Sequence, residues 1–128
     1  MMNKWIGIGR LANDPDMRVT PGGTSVCNFD LAVERDFTNQ QGEKEVDFIK
    51  MVAWRKLAET IATHLGKGRL IAVEGRLQVR KWQTKEGENR YTTEVVVEKV
   101  QFLDWPDDNK KKSGNQGQYV EEDIEVPF

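Results

Sequence analysis

The chain has one cysteine, Cys27, and one histidine, His64, so no intrachain disulfide can form and a Cys/His zinc site lacks its ligands. A lone thiol fits a reducing compartment. No apolar run approaches the roughly 18 residues that a membrane helix needs. Met1-Met2-Asn3-Lys4-Trp5 lacks the apolar core of a signal peptide, so a cytoplasmic location is expected. Gly7 and Gly9 have neither the third glycine nor the following helix of a dinucleotide fingerprint. Asp14 and Asp16 sit by a turn, where carboxylates serve local hydrogen bonds. No nucleophile, base and orienting group can be assembled, and the chain is read as non-enzymatic, with no metal and no cofactor. An excess of one charge is also missing. The net charge is -2, with 16 Lys and Arg against 15 Asp and Glu in residues 1–105 and three against six in residues 106–128. A near-neutral body carries an acidic tail.

What is present is strand pattern. Residues 5–11 form an apolar run, broken at Asn13-Asp14-Pro15 and resumed over 17–20, which reads as one long bent strand. Pro21-Gly22-Gly23 turns the chain. Over residues 25–33, Cys27, Phe29, Leu31 and Val33 share one face. A polar loop over 37–45 leads to a strand over 46–54. Leu57, Ile61 and Leu65, four apart, predict a helix over 56–65 that Gly66 and Gly68 end. Strands follow over 70–82 and 90–103, joined by a turn at Lys85-Glu86-Gly87-Glu88-Asn89. The expected fold class is all-β: an OB-fold, a five-stranded Greek-key barrel with one helix between strands 3 and 4, followed by a disordered C-terminal tail.

The outward faces hold the chemistry. Period two collects Phe48, Lys50, Val52 and Trp54 opposite Ile49, Met51 and Ala53. In the next strand it collects Arg76, Gln78, Arg80 and Trp82 opposite Ile71, Val73, Leu77 and Val79, which are expected to point inward. Aromatics and cations thus share faces that are not the core. Phe37 at the mouth of the polar loop, with Arg55, Lys56, Lys81, Lys85 and Arg90, extends the mixture. A ligand with flat rings on an anionic backbone matches it, because bases stack on the aromatics while Lys and Arg follow phosphates. Trp5 is read as core or subunit interface.

Residues 107–118 contain no apolar side chain, so 106–120 reads as a flexible linker. Glu121, Glu122, Asp123 and Glu125 then surround Ile124, Val126, Pro127 and Phe128. These eight residues repel one another too strongly to fold alone, and Phe128 adds nothing to solubility. They read as a ligand for another protein's surface.

Several blocks in order carry a family resemblance: Asn13-Asp14-Pro15 through Pro21-Gly22-Gly23, Trp54-Arg55-Lys56-Leu57, Val73-Glu74-Gly75-Arg76-Leu77, Arg80-Lys81-Trp82 and Arg90-Tyr91-Thr92-Thr93-Glu94-Val95. They resemble the bacterial single-stranded-DNA-binding protein family over residues 2–103 and again at the acidic tip. The resemblance implies sequence-independent binding and protection of single-stranded DNA during replication, recombination and repair. It implies a homotetramer of OB-folds, nucleoid-associated, whose domain over 1–105 binds DNA and whose tip over 121–128 recruits genome-maintenance proteins. Stacking aromatics carry over onto Phe37, Phe48, Trp54 and Trp82, and phosphate-contacting cations onto Lys50, Lys56, Lys67 and Lys81. Arg76 and Arg80 join them from the strand face, and Arg55 from just beyond the strand over 46–54. Phe37 and Phe48 stand where the family often has tryptophan, and Val126 where isoleucine is commoner. An RNA-binding OB-fold protein and a protein-binding adaptor are the alternatives.

Overall fold

The computed structural model describes residues 1–104, so the expected linker and acidic tip lie outside the described residues. Along them run β1 (Trp5–Leu11), β2 (Asp16–Val19), β3 (Ser25–Thr38), β4 (Lys44–Trp54), α1 (Arg55–His64), β5 (Leu70–Gln83) and β6 (Asn89–Phe102). β1 and β2 are two parts of one barrel strand. Arg10 and Leu11 pair with Ala32 and Leu31, and Asp16 to Val19 continue along the same partner from Asn28 to Ser25. The register slips between them to let Asn13-Asp14-Pro15 loop out, so the expected bent strand is interrupted rather than continuous. β1 also pairs with β5, β5 with β6, β6 in parallel with β4, and β4 with β3, which closes the barrel. Counted this way it is the five-stranded OB-fold expected from the sequence, with the helix before the fourth strand.

Alternation builds the interior. Trp5, Gly7, Gly9 and Leu11 face inward from β1, and the Trp5 ring lies over Gly7, where any Cβ would strike it. Trp5 therefore belongs to the core margin, packed against the buried cluster. Cys27, Phe29 and Leu31 of β3 meet Met51 and Ala53 of β4 and the β5 and β6 aliphatics. From α1, Leu57, Ala58 and Ile61 pack onto β2, β3 and β4. The helix starts one residue earlier than expected, at Arg55, whose φ of 61° is the one positive value outside glycine among the described residues. An arginine in this left-handed region stores about 1–2 kcal/mol; the sharp turn it makes swings the chain from β4 into the helix. No helix among the described residues is long and apolar enough to cross a membrane.

Two expectations fail on the hairpins. β3 runs on to Thr38 and β4 begins at Lys44, so Phe37 lies in a strand, and the turn between them is held by Asn39, whose Oδ1 accepts from the Gln41 and Glu43 amides, both at 2.9 Å. Leu77 and Val79 do not point into the core; they are 44% and 61% exposed. The β5–β6 pairing extends past the barrel as an arm, and there the inward phase of the strand has nothing to cover it. The inward set of β5 ends at Ile71, Val73 and Gly75. At Gly75 the pairing shifts by one residue, leaving Glu98 as a bulge, and a Cβ would collide with the Val96 carbonyl.

Candidate functional site

Cross-strand partners share a sheet face, so the register itself assembles the outer surface. Val26 lies opposite Trp54, Asn28 opposite Val52, Asp30 opposite Lys50 and Ala32 opposite Phe48. Val52 is joined to Val96 across the parallel pair, and Arg76, Gln78, Arg80 and Trp82 lie opposite Val96, Glu94, Thr92 and Arg90. One continuous outer face therefore carries Phe48, Lys50, Trp54, Arg76, Arg80 and Trp82, as the alternation predicts. Val52 and Val96, 5% and 6% exposed, form an apolar saddle in its middle.

A depression lies on each side of that saddle. The first, of about 720 Å³, is lined by Trp54, Arg55, Arg76, Lys4 and Lys99, with Glu74 and Glu98. The Lys4 ammonium bridges Glu74 at 3.0 Å and Glu98 at 3.3 Å, and Arg76 reaches Glu98 at 3.3 Å. The hydrogen bond from Lys4 holds the Glu74 carboxyl below its ordinary range, and the same contact raises the Lys4 ammonium. The second, of about 630 Å³, is lined by Lys50, Arg80, Trp82, Thr92 and Glu94 on one side and by Asn13, Asp14, Asp16, Asn28 and Asp30 on the other. Its ring is fixed at one edge: Trp82 Nε1 donates to Thr92 Oγ1 at 2.9 Å, while the side chain stays 43% exposed. Trp54 is 39% exposed. Each depression thus pairs one indole with arginine or lysine.

The remaining sequence-predicted residues lie elsewhere. Phe37 is 72% exposed, but it falls in the irregular stretch of β3 between Glu34 and Thr38, where period two assigns no face. Lys56 is exposed on the first turn of α1, and Lys67 in the loop after it. That loop is anchored by the Lys67 amide, which donates to Asp14 Oδ1 at 2.8 Å. Lys81 points away from Arg80 and Trp82, because it lies opposite Tyr91 on the reverse face of the arm. Among the described residues Lys50, Arg55, Lys56, Lys67 and Lys81 form no ion pair, whereas Arg35 is bound to Asp47 and Glu45 at 2.9 Å each. The hydrogen bond from Arg35 pulls the Asp47 carboxyl below its usual range. No group of acids, histidines and cysteine fit to hold a metal occurs among the described residues.

One residue of this face escapes sequence reasoning. Glu94 is only 6% exposed, accepting from Gln78 Nε2 at 3.2 Å and lying 3.5 Å from Arg80 Nε. A carboxylate this buried must be compensated; Gln78 and Arg80 do so, and Glu94 in turn holds Arg80 against the sheet on the face that carries Trp82. Pairing the arm about its turn sets Glu94 opposite Gln78, the signal that would have found it.

A family model described as the single-strand binding protein family matches residues 2–103. A protein of Bacillus cereus named single-stranded DNA-binding protein is 55% identical over 104 residues, covering 81% of this chain and 61% of the relative. In Clostridium acetobutylicum, single-stranded DNA-binding protein 2 is 46% identical over 134 residues, covering 99% of this chain and 100% of the relative. Single-stranded DNA-binding protein 2 of Listeria monocytogenes is 48% identical over 119 residues, covering 93% of this chain and 74% of the relative. The chain spans less than two thirds of the length of the Bacillus cereus relative.

Proposed function

The chain belongs to the single-strand binding protein family, and from that premise we propose that its outer sheet face binds single-stranded DNA without reading sequence, and without catalysis. The observation that carries this reading is the pair of half-exposed indoles, Trp54 and Trp82, each sharing a depression of one continuous face with lysine and arginine side chains. Stacking is sequence-tolerant because every base has a π-face, and it is worth roughly 1–3 kcal/mol per base. Phe37 and Phe48 add exposed rings on the β3–β4 hairpin. Lys50, Arg55, Lys56, Lys67, Arg76, Arg80 and Lys81 supply phosphate contacts, whose affinity falls with salt as counterions are released.

Self-association into a homotetramer is the second part of the proposal. Ile6 and Ile8 point outward from β1 and are 71% and 56% exposed. The other edge of this strand meets β3 only at Arg10 and Leu11. An unpaired, apolar strand edge of this kind favours pairing with a second chain.

The finer role is protection of single strands during replication, recombination and repair, in the cytoplasm at the nucleoid. Residues 1–105 form the DNA-binding domain, 106–120 a linker, and Glu121, Glu122, Asp123, Ile124, Glu125, Val126, Pro127 and Phe128 the segment that recruits genome-maintenance proteins. A partner pocket with a basic rim would take Phe128 and face the four carboxylates. Deleting residues 126–128 is expected to leave oligonucleotide affinity within twofold and to abolish capture of repair enzymes in a pull-down. Undiminished capture by the truncated chain contradicts the recruiting role. RNA competes for the same stacking chemistry, and paired DNA and RNA oligomers of one sequence measure which the face prefers.

A further inference from the structure

The β5–β6 arm carries two aromatic and cation pairs set back to back. Successive side chains of a strand point to opposite faces, so Lys81 and Trp82 diverge, as do Arg90 and Tyr91. The register places Trp82 opposite Arg90 and Lys81 opposite Tyr91. One face of the arm therefore presents an indole with an arginine, and the reverse face presents a phenol ring with a lysine.

The reverse face is open. Tyr91 is 65% exposed and Val79 beside it 61%. Neither the Tyr91 hydroxyl nor the Lys81 ammonium has a hydrogen-bond or ion-pair partner among the described residues. Along this face, from Leu77 to Gln83 on β5 and from Val95 to Asn89 on β6, Lys81 is the one charged side chain. A protein surface covering it would strip water from that ammonium, and this face offers no carboxylate in return. A phosphodiester brings its own negative charge and a base for the ring. The arm is two strands wide, about 5 Å from strand to strand, so a nucleic-acid chain lying on Trp82 reaches the other side by crossing one strand edge.

We infer that Tyr91 is a further base-stacking residue with Lys81 as its phosphate partner, and that single-stranded DNA passes over the arm to contact both of its faces. This rests on the single-stranded DNA reading above and extends it to a surface pointing away from Trp82.

The test compares Tyr91→Ala, Tyr91→Phe, Lys81→Ala and Trp82→Ala with the parent chain. Oligothymidylate affinity is measured by tryptophan quenching and by filter retention across a salt series, with the mass of the free protein determined for each variant. Tyr91→Ala is expected to weaken binding roughly 5- to 150-fold, the range for loss of one stacked base. Tyr91→Phe keeps the ring and restores affinity. Lys81→Ala lowers the slope of log affinity against log salt by about one phosphate contact. If Trp82→Ala weakens binding while Tyr91→Ala does not, the inference falls and the underlying reading stands. If Tyr91→Ala splits the assembly and leaves binding per subunit unchanged, the face belongs to a second copy of the chain and the inference is overturned. If the parent chain itself binds no oligothymidylate, the underlying reading fails as well.

Discussion

Single residues divide between those that shape the barrel and those left accessible at its surface. Cys27 is of the first kind: fully buried, its thiol is pushed up to about 11, first by burial and then by the nearby Asp16 charge. Only the thiolate reacts. At pH 8 an alkylating reagent is therefore expected to leave native protein unlabelled for hours and to label it within minutes in denaturant; rapid labelling of native protein contradicts the burial. Trp82 is of the second kind, since the bond to Thr92 holds its edge while leaving part of the ring accessible. The sequence made Trp82, Lys50 and Arg80 legible because each lies on a strand whose alternate positions are plainly aliphatic. Glu94 and Tyr91 were not legible in the same way, because their meaning depends on which residue stands opposite. That register is fixed by a hairpin turn between Gln83 and Asn89.

Among elements, the helix and the arm show opposite balances of burial. α1 fastens to β2, β3 and β4 by the stripe of Leu57, Ala58 and Ile61. Ile61 is fully buried, so Ile61→Ala removes apolar contacts and leaves a cavity. The expected cost is about 2–5 kcal/mol, read as a lower urea midpoint at unchanged slope. A change below about 1 kcal/mol means that the helix is not docked as described. This spacing of apolar residues four apart was readable directly, to within a residue at either end. The arm was misread for a physical reason. Leu77 and Val79 continue the aliphatic phase of Ile71 and Val73, and period two cannot say where a strand leaves the barrel that covers it. The irregular pairing between Glu34 and Thr38 hid the placement of Phe37 in a strand by the same logic, since alternation breaks where residues are added to one side.

At the scale of the whole molecule, a near-neutral body sets Lys50 and Arg55 beside exposed rings and ties several of its carboxylates to cations. Glu74 and Glu98 are tied to Lys4, Glu94 lies beside Arg80, and Asp47 and Glu45 are bound to Arg35. Net charge therefore says little about affinity for a polyanion, whereas the arrangement of one face says a good deal. The same arrangement separates the two forces that hold a strand: stacking resists salt, and phosphate contacts yield to it. The measurement that reaches the central claim most directly is titration of the full chain with oligothymidylate at rising salt, following tryptophan emission and then weighing the complex by native mass spectrometry. The account predicts saturable quenching of Trp54 and Trp82, an affinity that falls linearly on logarithmic axes with salt, and a complex of four chains on one strand. Unquenched emission at saturating oligonucleotide, or an affinity indifferent to salt, contradicts it.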